Sequence, residues 1–212
     1  MKANGFSPLL KILFENGVGF DTVSIGEVLH ALQFENPNRV IFSGVAKKVS
    51  ELQTAIQKEI FQVNVESIPE LRRIDKISRE LGHGVRLALR INPNVSTTTH
   101  KYIQTGHEDN KFGIEIGHLQ TAFDILRENK LLDFSGYAIH IGSQILNVEE
   151  FRPAFVKLLE LTDLARSAGF TIRSLDLGGG IGINYETDDE SQDFSRMRAW
   201  ASLIDEIIPK EL

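Results

Sequence analysis

Cysteine is absent from all 212 residues of this chain, which excludes disulfides, thiolate metal sites and a thiol nucleophile. The fold must be held by its apolar core, and a reducing, cytoplasmic setting is expected. Long hydrophobic runs are missing as well: none approaches the roughly 20 residues that a bilayer-spanning helix needs, so the apolar segments must be buried in protein and no membrane partner is expected. Positive charge is in deficit, 23 basic against 29 acidic residues for a net charge of -6. The basic residues are scattered, which argues against a nucleic-acid surface, since phosphate binding needs clustered Lys and Arg. No export signal is expected either, because Lys2 is followed at once by Gly5, Ser7 and Pro8 where an apolar stretch would be required. No metal site is expected.

What the chain does contain is 42% hydrophobic and 25% charged residues, the balance of a globular protein with one sizeable core. Short apolar runs alternate with longer amphipathic ones from end to end, the pattern of repeated βα units. "FDTVS", "RVIFSG", "IFQVNVES", "VRLALRINP", "FSGYAIHIGS" and "IRSLDLGGG" are expected as six strands. "LLKILFENG", "IGEVLHALQF", "SELQTAIQKE", "SIPELRRIDKISRELG", "HLQTAFDILRENK", "VEEFRPAFVKLLELTDLARSAGF" and "MRAWASLIDEII" are expected as helices. Ser7 is the expected N-cap of the first helix, with Pro8 at its first position, and Pro69 fits the first turn of the fourth. Residues 94–111 read as a polar loop. Loops longer than about 15 residues in compact domains are usually functional, so this one is placed beside the active site.

Parallel strands joined by helices can form an open doubly wound sheet or a closed barrel. The polar and glycine-rich segments "VSIGE", "SGVAKK", "VES", "RINPN", "HIGSQ" and "GGGIG" all follow strand ends, as in a barrel whose βα loops form one active face. The expected fold is therefore an α/β chain, a (β/α)8 TIM-type barrel of the alanine racemase-like kind. It is incomplete, with about six to seven of the eight strands, and residues 1–212 form one domain. Strand edges would be left unpaired.

Two segments could carry chemistry. "LDLGGGIGINY" puts Gly178, Gly179 and Gly180 at a strand exit, where missing side chains let backbone N–H groups approach an anion. The spacing to Gly182 does not fit the dinucleotide fingerprint G-x-G-x-x-G. Taken alone, the run is equally a tight turn without a ligand. "YAIHIGSQ" sets His140 in an apolar strand with Ser143 just beyond it. A buried histidine is more often satisfied by a backbone carbonyl. Beside the glycine run, however, Ser143 can donate to the same anion and the imidazole can stack on a planar cofactor.

The stretches "KAN", "GVGFDTVSIGEV", "IFSGVAKK", "FQVNVESIPEL", "RINPNV", "NKFGI", "HIGSQ" and "LDLGGGIGINY" occur in one order along nearly the whole chain. In this the chain resembles the diaminopimelate decarboxylases of the fold-type III pyridoxal-phosphate enzymes. The resemblance implies pyridoxal 5'-phosphate as cofactor and Lys2, matching the lysine of a Y-A-x-K-A-N motif, as the Schiff-base residue. It implies His140 as the residue stacked on the pyridine ring, and Ser143 with Gly178, Gly179 and Gly180 as phosphate ligands. Asp21 and Glu27 match acidic residues near the lysine, and Arg90 and Lys111 match polar residues around the cofactor. Two positions depart from the family pattern: Ala138 replaces the first histidine of H-x-H-I-G-S, and "GVAKK" replaces G-V-G-K-T.

By this resemblance the chain is expected to lack the strand before Lys2, the E-P-G-R segment and the C-terminal β-domain of the family. The complete enzyme would decarboxylate meso-2,6-diaminopimelate, a small amino-acid substrate, to L-lysine and act as a homodimer. A related decarboxylase of ornithine, arginine or carboxylated polyamine precursors is the alternative, as is a catalytically inactive cofactor-binding fragment.

Overall fold

The computed structural model describes residues 1–34, 36–93, 112–185 and 190–210. Six parallel strands, β1 (Phe20–Thr22), β2 (Val40–Phe42), β3 (Gln62–Val65), β4 (Val85–Arg90), β5 (Leu132–Ala138) and β6 (Ser174–Asp176), lie side by side in chain order. Among the described residues, seven α-helices accompany them: α1 (Ser7–Glu15), α2 (Ile25–Ala31), α3 (Val49–Gln57), α4 (Ile68–Leu81), α5 (Leu119–Glu128), α6 (Arg152–Ser167) and α7 (Ser191–Ile207). The six strands expected from periodicity are all present.

The sheet is curved. Asn64 on β3 reaches Asp176 on β6, with Nδ2 2.7 Å from Oδ2, although β4 and β5 lie between those strands in the sheet. Strands are spaced about 4.8 Å apart, so only a concave face brings these side chains together. The incomplete barrel expected from the sequence is therefore the fold observed. Between β4 and β5 the register shifts at Leu87/Ala88, which pair with Phe134 and Gly136. The extra residue, Ser135, shares its one hydroxyl hydrogen between Leu87 O and Gln62 Oε1. Gly136 permits the close approach of β6, since a Cβ there would overlap Ser174 O.

One continuous apolar core joins sheet and helices, with Leu71, Ile74 and Ile77 of α4 and Ala122, Phe123 and Leu126 of α5 all buried in it. The amphipathic spacing of these residues, three and four apart, turns one stripe of each helix inward. Local signals agree with this architecture. Ser24 and Ser67 cap α2 and α4 by accepting from Glu27 N and Glu70 N, and Gly82 ends α4 with φ +65°.

Two boundaries differ from expectation. Ser7 is the first residue of α1, and extended Phe6 takes the cap position; the Ser7 hydroxyl instead lies 3.0 Å from His30 Nε2. Pro8 does occupy the first turn. Helix α7 begins at Ser191, six residues before Met197, because Asp193 stabilises its first turn and accepts from Asn184 N. The long loop at 94–111 lies outside the described residues.

Candidate active site at the carboxyl ends of the strands

Five of the six strands deliver a polar or glycine residue at or just past the carboxyl end: Ser43 after β2, Glu66 after β3, Arg90 closing β4, His140 after β5 and Gly178 after β6. The amino terminus joins this rim. The Met1 ammonium donates to Asp21 O at 2.9 Å, which holds exposed Lys2 close enough for its charge to act on His140.

The glycine run meets the "HIGS" segment backbone to backbone. A Cβ on Gly178 would sit 2.3 Å from Ile139 O, and one on Gly180 would sit 2.0 Å from Gly142 O and 3.3 Å from Ser143 Cα. Both glycines have positive φ, +68° and +108°, so no larger residue fits either the space or the backbone conformation. Ile145 N donates to Gly180 O and Gly182 N to Ile145 O, locking the two loops side by side. Over Gly179 the space is open. The amides of Gly179 and Gly180 donate no hydrogen bond among the described residues.

The description "Pyridoxal-dependent decarboxylase, pyridoxal binding domain" matches residues 1–212. The chain belongs to this family. It is similar to diaminopimelate decarboxylase of Aquifex aeolicus, 40% identical over 191 residues that cover 90% of this chain and 46% of the relative. It is also similar to that of Vibrio cholerae, 42% identical over 189 residues covering 89% and 45%. Among solved structures, diaminopimelate decarboxylase from Helicobacter pylori complexed with L-lysine superposes with a TM-score of 0.83 at 34% identity, covering 95% of this chain and 52% of that one. The chain thus spans about half the length of the proteins it matches.

The electrostatics of this decarboxylase-family rim follow from burial. Desolvation pushes the His140 pKa below its ordinary value, Arg90 and Lys2 push it further down, and Asp176 opposes them. His140 is therefore neutral at pH 7. Arg90 Nη1 lies 2.9 Å from both oxygens of Glu66, the two side chains being 13% and 7% exposed. Burial raises the Glu66 pKa, and Arg90 is the main influence holding it down. Asp21 is likewise raised by desolvation, against the hydrogen bond that it accepts from Ser43 Oγ. Glu27 turns away to accept from Val23 N at the start of α2. Lys111 lies outside the described residues.

Sequence reasoning missed the interior beneath this rim. Gln62 and Asn64, two residues apart on β3, share its concave face. Gln62 Nε2 donates to Asn64 Oδ1, and Asn64 Nδ2 donates to both Ser43 Oγ and Asp176 Oδ2. Polar residues at i and i+2 in the apolar strand "FQVNV" were the available signal. Below Asn64, Lys47 Nζ donates to Asn64 O and to Glu70 Oε1, both at 2.7 Å. The Lys47 and Glu70 side chains are 0% and 2% exposed.

Proposed function

We propose that this chain is the pyridoxal 5'-phosphate-binding domain of a diaminopimelate decarboxylase, removing carbon dioxide from meso-2,6-diaminopimelate to give L-lysine in the complete protein. The observation that carries the substrate is the 40–42% identity to diaminopimelate decarboxylases across about 90% of the chain. The domain is taken as residues 1–212, working in the cytoplasm and as a homodimer when complete.

The residues present fit the cofactor. A phosphate dianion needs several uncommitted donors. Among the described residues, two amides of the Gly178–Gly180 turn donate no hydrogen bond and the space above Gly179 is open, and exposed Ser143 adds a hydroxyl against the same turn. His140, neutral through desolvation and its basic neighbours, offers a flat ring to a flat cofactor without adding positive charge. Lys2 supplies the primary amine that carries the cofactor. Asp21 lies beside the terminus that bears Lys2 and accepts or releases a proton there, and Arg90, held by Glu66, sets a fixed positive charge on the same rim. When bound, the cofactor supplies an electron sink for the pair left by the departing carboxylate. The protein's part is to orient the groups and control protons.

The test is titration of the purified chain with pyridoxal phosphate, followed by borohydride reduction and peptide mapping. A 1:1 label on Lys2 is expected. Label spread over the surface lysines, or none, would refute the assignment. Carbon dioxide release from meso-2,6-diaminopimelate, against ornithine and arginine, then tests the substrate in the complete protein.

A further inference from the structure

The Asp176 carboxylate is shared between the glycine turn and the opposite wall of the barrel. Its Oδ1 accepts from Gly178 N at 2.9 Å, two residues on, which makes the turn an Asx-turn. Its Oδ2 accepts from Asn64 Nδ2 at 2.7 Å. Asn64 is buried and cannot reorient freely, because Gln62 Nε2 fixes its oxygen and Ser43 Oγ takes its other N–H. Each hydrogen of the Asn64 amide has one acceptor. Resting on the anion-site reading above, we propose that Asn64 and Asp176 form a positioning clamp that holds the Gly178–Gly180 turn in its phosphate-receiving conformation.

The clamp explains how a turn of three glycines keeps one shape. Glycine loses more conformational freedom on ordering than any other residue, and β6 is only three residues long, with all three half-buried. Its outer edge pairs with no strand among the described residues. Through Asp176 the turn is tied to β3, whose four residues are all buried. The Gly178 amide is consumed by the clamp, which leaves Gly179 and Gly180 as the donors for an anion.

The test compares dissociation constants for pyridoxal and pyridoxal phosphate, measured calorimetrically on the whole chain. Their ratio isolates the phosphate contacts. Two charge-assisted bonds set a wild-type preference for the phosphate ester of about 100-fold. Asp176→Asn turns a donor toward the Asn64 donor and should cut this preference by about tenfold or more. The exchanged pair N64D/D176N restores donor to acceptor and should return it to within about threefold of wild type. A clamp that only stabilised the fold would weaken both ligands equally and leave the ratio unchanged, which would overturn the proposal, as would an exchanged pair no better than D176N. If circular dichroism shows D176N unfolded, N64D/D176N must still exceed Asn64→Ala in phosphate preference, and the reverse order overturns the clamp. A wild-type ratio near one overturns the anion-site reading itself, and the clamp with it.

Discussion

Replacing Lys47 by methionine tests the buried charge beneath the candidate site. The substitution keeps the length of the stem and removes the ammonium, which donates to Glu70 Oε1 and Asn64 O at 2.7 Å each. Glu70, 2% exposed, is then left without its counter-ion. Removing one partner of a buried pair costs about 3–5 kcal/mol. At roughly 2–4 °C per kcal/mol for a chain of this size, the melting temperature should fall by about 6–20 °C. Thermal unfolding followed by circular dichroism measures it, and urea unfolding measures the free energy. The double variant Lys47→Met, Glu70→Leu removes both charges and should lie within about 1.5 kcal/mol of wild type, because apolar replacement of a buried pair is often neutral. A single variant within about 1 kcal/mol of wild type, or a double variant as unstable as the single, would refute an uncompensated charge as the cause.

Ala46 has φ +55°, a left-handed conformation that costs a residue with a Cβ about 1–2 kcal/mol. Gly at this position loses about 0.4–1 kcal/mol through greater freedom of the unfolded chain, so Ala46→Gly should raise the unfolding free energy by about 0.5–1 kcal/mol, and a decrease would contradict the conformational argument. His140, whose folded pKa lies below its ordinary value through desolvation and then Arg90 and Lys2, contributes stability that is present above pH 6.5 and lost as pH falls toward the folded pKa. Proton NMR titration should place His140 below 6.5 and lower still in Asp176→Asn, which removes the influence that raises it. A value at or above that of a free histidine would refute the assignment of causes.

The architecture was readable wherever it rests on local chemistry. Short apolar runs located the six strands and helical periodicity the seven helices among the described residues, because a parallel strand is covered on both faces whereas a helix buries one stripe. Pro69 marked the first turn of α4 because its missing N–H costs nothing there. Ser7 misled because its hydroxyl is claimed by His30, 23 positions away, a competitor that no local rule contains. Helix α7 starts ahead of the stretch expected for it because Asp193, a charged residue outside any apolar stripe, favours a helix N-terminus.

At the site, motif order singled out Lys2, Asp21, Arg90, His140, Ser143 and the glycine run, and folding places them around one rim. What the motifs could not supply is the support under that rim. Asp176 stands two residues before Gly178, a spacing that allows an Asx-turn, yet its partner Asn64 lies 112 positions away. Lys47 and Glu70 are both charged residues that composition assigns to the surface, yet they are buried against each other, with Lys47 also bonded to Asn64 O. The sequence by itself determined the elements, their order and the residue types offered at each strand end, since these follow from periodicity and local sterics. Only the tertiary structure decided which of those residues meet across the barrel and how far burial shifts their protons, because both depend on the curvature of six strands acting together.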